Sequence, residues 1–284
     1  MAGKADWEGA QGESWARNAA VMERMLKPFG DAAMAALGPV EGLSVLDLGC
    51  GGGATTLELA ARAGADGRVV GLDVSPDLIA LAERRKAEAA PAAPVAFRCA
   101  DAAEARFDEP FDAVYSQFGA MFFDDAAAAW ANLREAAKPG APLAIACWRA
   151  PKENEWATLA LGVAKPLLPE APPVDRFAPG PFAWSEPEAT FAPALAKAGW
   201  RDVAWRPIDE EITLGAGYGA NGADPAETAT DFVMEMGPLS RRLAELDDEE
   251  RTEVRAVVAK TLSGRRRGAT VPVSGAGWIV TARA

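Results

Sequence analysis

The segment Val45-Leu46-Asp47-Leu48-Gly49-Cys50-Gly51-Gly52-Gly53 joins a short apolar run to a glycine-rich turn. Residues 44–48 predict a buried β-strand, and residues 54–63 predict the helix after the turn. Glycine permits positive φ and lets the backbone approach a ligand closely. The helix N-terminus adds unpaired N–H groups and the positive end of the helix dipole. The segment therefore predicts a ligand site that suits a carboxylate.

Strands and helices alternate from this segment to Trp148. The predicted strands are residues 44–48, 68–72, 95–99, 111–115 and 143–148. This alternation predicts an α/β fold, in which a doubly wound parallel sheet carries helices on both faces. Right-handed crossovers place the C-terminal ends of parallel strands at one edge of the sheet. We therefore expect the loops after these strands to share the ligand site.

The residues before the first strand predict a helical segment that covers this site. The segment comprises residues 1–40, and Pro28 and Gly30 are expected to interrupt it. Trp15 and Asn18 lie on its helix and are candidates for contact with a bound ligand.

The chain after Trp148 follows a looser pattern. The predicted parts are a main domain over residues 41–284, cap insertions at about 149–184 and 215–265, and strands at 200–205 and 277–282. The residues from Ser185 to Glu188 match a capping box, which predicts that a helix begins there.

Composition and charge limit the class of protein. The 284 residues are 50% hydrophobic and 25% charged, an ordinary globular balance, and the formal net charge is −12. This charge disfavours a nucleic-acid partner, because phosphate contacts require a basic face. The cluster Arg265-Arg266-Arg267 predicts a solvated loop. The apolar runs are too short for a membrane span, and residues 1–15 lack a signal-peptide core, so we expect a cytoplasmic protein.

The chain has no histidine and three cysteines, Cys50, Cys99 and Cys147. The absence of histidine excludes a Ser-His-Asp triad, a histidine-metal site and a histidine general base. No pair of cysteines has the spacing of metal ligands, so no metal site is predicted. The composition favours chemistry in which positioning matters more than proton transfer.

Acidic residues follow the first three predicted strands or end them. Asp47, near the end of the first strand, can attract a ligand's ammonium group directly or through water. Asp73 lies 20 residues after Gly53, the offset typical of an acid that binds ribose hydroxyls. Asp101 and Ala102 follow the third strand and are placed to meet an adenine edge. The three loops together predict a site for an adenosyl group that carries an amino-acid tail.

With these motifs the chain resembles the class I S-adenosylmethionine-dependent methyltransferases. The matching motifs are residues 45–53, 70–75, 99–102, 111–118 and 133–140. Residues 118–123 are most similar to the ubiquinone- and menaquinone-methyltransferase-like branch, which acts on small molecules. The resemblance implies a Rossmann-like sheet of seven strands with the last one antiparallel, helical cap insertions, and S-adenosylmethionine as cofactor.

The residues and the resemblance give a set of candidate site residues. The cofactor-binding candidates are Asp47, Gly49, Gly51, Gly53, Asp73, Val74, Asp101, Ala102 and Ser116. Phe122 and Trp148 are candidates for the substrate pocket, because they follow strands at the functional edge. Tyr218 is a candidate general base. The predicted reaction is direct in-line methyl transfer to a small-molecule acceptor, in which the protein chiefly aligns the reacting groups.

Two other functions stay open at the level of sequence. Residues 49–54 also fit the G-x-G-x-x-A fingerprint of NAD(P)-dependent oxidoreductases, although Asp47 has no purpose beside a pyrophosphate. The other alternative is a non-catalytic S-adenosylmethionine-binding protein. The sequence does not identify the methyl acceptor or the oligomeric state.

Overall fold

The computed structural model describes residues 4–170, 178–215 and 222–284. The strands of this part are β1 (Ser44–Leu48), β2 (Arg68–Asp73), β3 (Val95–Cys99), β4 (Ala113–Gln117), β5 (Pro142–Trp148), β6 (Arg201–Thr213) and β7 (Pro272–Arg283). They form a seven-stranded sheet of order β3-β2-β1-β4-β5-β7-β6. Strands β1 to β5 pair in parallel, whereas β7 is antiparallel to β5 and β6. The predicted doubly wound sheet with an antiparallel last strand is confirmed.

Helices cover both faces of this sheet. They are α1 (Lys4–Trp7), α2 (Ala10–Leu37), α3 (Ala54–Ala63), α4 (Pro76–Ala89), α5 (Ala126–Ala136), α6 (Glu155–Ala164), α7 (Phe191–Lys197), α8 (Pro225–Glu235), α9 (Pro238–Leu243) and α10 (Asp248–Arg265). Helix α3 packs on β1 and β2, and α2 packs on β4, β5 and β7. The central strands are almost wholly buried, which explains their continuous apolar runs. Among the described helices, none is long and apolar enough to cross a membrane.

Helix α2 runs without a break through Pro28 and Gly30, so the predicted interruption is wrong. Proline removes one helical N–H, but the buried side chains of Met25, Leu26 and Phe29 anchor the helix on the sheet. Tertiary packing therefore outweighs the local preference. The same packing brings α2 close enough to β4 to require a glycine at position 30.

Several other boundaries differ from the predicted ones. Strand β4 starts at Ala113, because Phe111 makes an isolated bridge with Ala137 instead of joining the strand. Strand β6 continues to Thr213, far beyond the predicted end at 205. Its second half is mostly polar because β6 lies at the sheet edge, where charged side chains face solvent.

The capping box at Ser185 does not start a helix. Helix α7 begins at Phe191, and Thr190 precedes it as the N-cap residue. The hydroxyl of Thr190 donates to the backbone oxygen of Glu186, so residues 185–190 form turns that lead into the helix. The capping-box pattern at Ser185 therefore marks a series of turns and not the start of a helix.

The arginines at 265–267 are exposed, as predicted, and each of them is ion-paired within the chain. Arg265 pairs with Glu155, Arg266 with Asp224 and Arg267 with Glu211. These acids lie on α6, before α8 and on β6, so the three pairs tie the end of α10 to the rest of the domain.

Candidate functional site

A cavity of about 370 Å³ lies at the C-terminal ends of β1 to β4, beneath α1 and α2. The strand order reverses between β1 and β4, and ligands of open α/β sheets bind at such a switch point. The predicted residues that line the cavity are Gly49, Gly51, Asp73, Val74, Asp101, Ala102 and Phe122. The predicted residues behind its wall are Asp47, Gly53, Ser116 and Trp148.

The three glycines Gly49, Gly51 and Gly53 in the loop after β1 are required for different steric reasons. Gly49, Gly51 and Gly53 all have positive φ, at 65°, 53° and 81°. A Cβ at Gly49 would lie 2.6 Å from the Cα of Gly119, because the loops after β1 and β4 touch there. A Cβ at Gly51, which lines the cavity, would meet no atom of the described residues within 4 Å. Gly51 therefore leaves open space next to its backbone for a ligand.

Gly53, a candidate contact residue, packs behind the loop and is not among the residues that line the cavity. A Cβ there would lie 2.7 Å from the ring of Phe97 and 2.8 Å from Ala82. The glycine allows the first turn of α3 to pack closely on β3 and α4. Its role is to set the position of the helix N-terminus.

Asp73 holds the glycine loop through its carboxylate. One oxygen accepts from the backbone N–H of Gly51 at 2.9 Å, and the other accepts from that of Ser75 at 2.9 Å. Burial raises the pKa of Asp73, while the backbone N–H donors oppose that shift. A carboxylate has about four acceptor positions, so lone pairs remain for two ligand hydroxyls.

Asp47 lies one layer behind the cavity and cannot contact a ligand there directly. It is fully buried, and one carboxylate oxygen accepts from Thr55 at 2.7 Å and from Thr56 at 2.6 Å. The other oxygen has no hydrogen-bond partner among the described residues. Burial raises the pKa of Asp47 to about 6, against the two threonine hydrogen bonds. Thr55 lines the cavity and connects it to this buried acid.

The loop after β3 meets the N-terminal helix. Asp101 accepts from the backbone N–H of Ala103 at 2.9 Å and pairs with the Lys4 ammonium at 3.2 Å. The backbone N–H of Lys4 also lies 3.3 Å from a carboxylate oxygen of Asp124. Helix α1 is thus fastened across the end of the cavity that Asp101 and Ala102 line.

Strand β4 ends in a strained turn. Ser116 is buried and donates to the backbone oxygen of Leu48 at 2.8 Å, so it joins β4 to β1 rather than lining the cavity. Phe118 has a φ of 57°, which is uncommon for a residue other than glycine, and its N–H donates to Ala146. Strained backbone of this kind clusters at functional sites.

Aromatic side chains surround the cavity in two layers. Phe122 lines the cavity and meets Trp7 edge to face, with ring centroids 5.0 Å apart. Trp148 is buried behind Phe118, and the two rings stack 4.1 Å apart. Phe118 therefore lines the cavity in this structure, and Trp148, the predicted pocket residue, lies behind it.

Of the two candidates on the N-terminal helix, Trp15 and Asn18, one lines the cavity and the other does not. Trp15 lines the cavity, whereas the amide of Asn18 points towards α8 and donates to Glu235 at 3.1 Å. Asn18 therefore joins two helices. Tyr218 lies outside the described residues.

Sequence reasoning missed the charged wall that α2 contributes. Glu23, Lys27 and Asp31 line the cavity at intervals of four residues, which places them on one side of the helix. Glu23 also pairs with Arg85 of α4, whose guanidinium donates to the backbone oxygen of Gly52 at 2.8 Å. The i, i+4 spacing of these charged residues could have predicted this wall, but apolar periodicity alone does not reveal it.

Comparison with known proteins identifies the family of this chain. The methyltransferase domain family matches residues 45–140. A demethylmenaquinone methyltransferase from Renibacterium salmoninarum is 30% identical over 183 residues, which are 61% of this chain and 73% of that protein. The chain belongs to the S-adenosylmethionine-dependent methyltransferase family.

A second relative matches in sequence over a smaller part of the chain, and a solved structure matches in fold over most of it. A 2-phytyl-1,4-naphtoquinone methyltransferase from Nostoc punctiforme is 36% identical over 115 residues, which are 40% of this chain. The chain spans 50% of the length of that protein. A Bacillus halodurans crystal structure assigned as a methyltransferase covers 89% of this chain, and this chain covers 97% of it, with a TM-score of 0.54 and 18% identity. At that identity the likeness concerns the fold alone.

Proposed function

We propose that this methyltransferase-family protein transfers a methyl group from S-adenosylmethionine to a small-molecule acceptor by direct in-line displacement. The observation that carries the proposal is the Asp73 carboxylate, which holds Gly51 at 2.9 Å beside open space in the cavity. An acid with free lone pairs next to an exposed loop backbone suits a ribose diol with an attached charged chain. The cavity of about 370 Å³ is within the usual range for small ligands.

The cofactor would lie along the sheet edge from β3 to β1. Asp101 and Ala102 would bind the adenine, and Asp73 with Val74 the ribose. The amino-acid tail would lie at Gly49 and Gly51, in front of Thr55. Asp47, Gly53 and Ser116 would act indirectly, since their contacts support the loop and helix that form the site.

When bound, the sulfonium of the cofactor would supply an electrophilic methyl group. The residues of this chain would align the acceptor with that group and exclude water. Phe118, Phe122 and Trp15 supply apolar surface for this purpose. The chain has no histidine, so an acceptor that must lose a proton would need an acid or a tyrosine as base. Tyr218 is our candidate for that role.

We further propose that the acceptor is an apolar, planar ring such as a quinone-type nucleus. The quinone methyltransferases among the relatives support this class, as do the aromatic residues that line the cavity. Phe122 would contact the acceptor or the adenine, and Trp148 would support Phe118 from behind. Residues 1–40 would cover the site, and the insertions at about 149–184 and 215–265 would shape the acceptor side. We place the protein in the cytoplasm, without a nucleic-acid partner.

A labelled-methyl screen tests the function. The protein is incubated with S-adenosylmethionine carrying a deuterated methyl group and with small-molecule extracts or reduced naphthoquinones. The masses of the products are measured by mass spectrometry. We expect a product that is heavier by one labelled methyl group. Tight cofactor binding with no labelled product from any extract would favour the non-catalytic alternative.

A second titration addresses the oxidoreductase alternative. S-adenosylmethionine and NADP are titrated separately into the protein in a calorimeter. We expect heat from S-adenosylmethionine alone, because the acidic Asp47 behind Thr55 disfavours a pyrophosphate at the glycine loop. Binding of NADP without S-adenosylmethionine would overturn the proposed function.

A further inference from the structure

We propose that Gln117 binds the amino-acid tail of the cofactor through its side-chain amide, an inference that rests on the proposed function. Gln117 is the last residue of β4 and lines the cavity. Strands β1 and β4 are parallel, with Asp47 opposite Tyr115, so Gln117 lies level with Gly49. This level of the sheet edge is where the tail would enter the glycine loop.

The space for this amide is made by a glycine in the middle of a helix. A Cβ on Gly30 of α2 would lie 2.1 Å from the amide oxygen of Gln117. Glycine inside a helix costs about 1 kcal/mol relative to alanine. The steric demand of the Gln117 side chain explains why α2 carries a glycine at this position despite that cost.

Tyr115 orients the amide from beneath. Its phenol oxygen lies 3.3 Å from the amide oxygen of Gln117 and 3.1 Å from the backbone oxygen of Gly30. Burial raises the pKa of Tyr115 well above its ordinary value, so the phenol keeps its one proton, for which these two oxygens are alternative acceptors. The amide nitrogen of Gln117 has no hydrogen-bond partner among the described residues. Its two N–H groups are therefore available to a ligand carboxylate.

Charges of both signs surround this position. Lys27 and Asp31 of α2 line the same cavity, and their ammonium and carboxylate lie 2.6 Å apart. Thr55 lines it from the first turn of α3. An α-amino acid group carries one ammonium and one carboxylate, so this surrounding suits it better than an anion or a cation alone. Gln117 adds neutral donors for the carboxylate without changing the local charge.

Two ligands that differ in the tail test the proposal. S-adenosylhomocysteine carries the amino-acid chain, whereas 5′-methylthioadenosine has a methyl group in its place. In calorimetric titrations we expect Gln117→Leu to weaken S-adenosylhomocysteine binding about tenfold, which corresponds to about 1.4 kcal/mol. Binding of 5′-methylthioadenosine should stay at the wild-type affinity. Gly30→Ala should give the same pattern, because it displaces the same amide.

The control is the other glutamine of the chain. Gln11 lies in the first turn of α2 and does not line this cavity, so Gln11→Leu should leave both affinities unchanged. Gln117→Met keeps the length of the side chain without its donors, and it replaces Gln117→Leu if thermal melting shows that variant to be unfolded. The proposal is overturned if folded Gln117 variants bind S-adenosylhomocysteine like the wild type, or lose affinity for both ligands equally. A wild-type protein that binds neither S-adenosylhomocysteine nor S-adenosylmethionine would instead overturn the proposed function.

Discussion

The floor of the cavity and its cover are held by different kinds of interaction. In the floor, the N–H groups of Gly49 and Cys50 donate to the backbone oxygen of Leu72, and that of Gly51 donates to Asp73. In the cover, side-chain ion pairs join α1 to the loop after β3, and α2 to α3 and α4. They are Lys4 with Asp101, Glu23 with Arg85, and Lys27 with Glu58.

This difference predicts which part can open. Buried backbone hydrogen bonds are costly to break without replacement, because each unpaired group loses its solvation. Partly exposed ion pairs contribute at most about 1 kcal/mol each. The floor should therefore keep one geometry. Helix α2 also keeps its place, because Met25, Leu26 and Phe29 are buried on the sheet. The part of the cover that can be released to admit ligands is α1 and the charged side chains that α2 presents to the cavity. Changes in the floor should act on stability or strongly on affinity, and changes in the cover should have small effects.

The largest effect is expected from Gly49→Ala. The new Cβ would lie 2.6 Å from the Cα of Gly119, and position 49 also has positive φ. A strained φ costs about 1–2 kcal/mol, and the backbone clash adds about as much again. We expect the free energy of unfolding in urea to fall by about 3 kcal/mol or more. Gly51→Ala is the control, since its φ is also positive but its Cβ meets nothing, and it should lose about 1–2 kcal/mol. Equal losses in both variants would contradict the close approach of the two loops.

The second effect concerns affinity. Asp73→Ala removes the acceptor for the ribose and releases the backbone of Gly51. We expect S-adenosylmethionine binding to weaken about 100-fold, the loss of about 3 kcal/mol typical of two hydrogen bonds to a charged group. Asp112→Ala is the control, because Asp112 accepts from the backbone of Ser44 at the opposite end of the sheet. Calorimetric titration should show wild-type affinity for this control, and wild-type affinity for Asp73→Ala would rule out the ribose assignment.

The sequence predicts the floor better than the cover. Gly49, Gly51 and Asp73 are predictable because a glycine loop after a buried strand, followed by an acid at a fixed offset, leaves few other geometries. Whether a residue lines the cavity or lies behind it depends on packing between distant segments. The buried position of Trp148 is set by Phe118, and no local pattern reveals that stacking.

Packing between distant segments also explains why the predicted interruption of α2 is wrong. Local rules place a break at Pro28 and Gly30, because each disfavours a helix interior. The observed helix continues because its apolar face is buried on β4 and β5. Gly30 is required because of its close approach to Gln117, which is 87 positions away in the chain. Contacts of this separation are what a reading of local periodicity cannot supply.

A pH-dependent effect comes next in size. The pKa of Asp47 in the folded protein is raised from 3.8 to about 6 by burial. Between these values the folded state binds more protons than the unfolded state, so stability falls as pH rises through this range. Asp47→Asn removes this loss while an amide oxygen can still accept from Thr55 and Thr56. In urea unfolding, the stability of the variant relative to the wild type should increase by about 2 kcal/mol from pH 4.5 to pH 7. A difference that stays constant with pH would show that Asp47 titrates as an ordinary acid.

The smallest effect is expected in the cover, where Arg85→Ala tests whether the ion pairs only assist binding. Arg85 joins Glu23 of α2 to the backbone oxygen of Gly52, so its loss should loosen the cover over an intact loop. We expect stability to fall by about 1 kcal/mol or less, and S-adenosylmethionine affinity to fall about threefold at low salt, with a smaller change at high salt. Lys86→Ala is the matched control on the same helix, because Lys86 pairs with Glu83 and does not line the cavity. A loss of affinity from Arg85→Ala as large as that from Asp73→Ala would mean that the cover belongs to the binding site proper, and the division between a fixed floor and a releasable cover would fail.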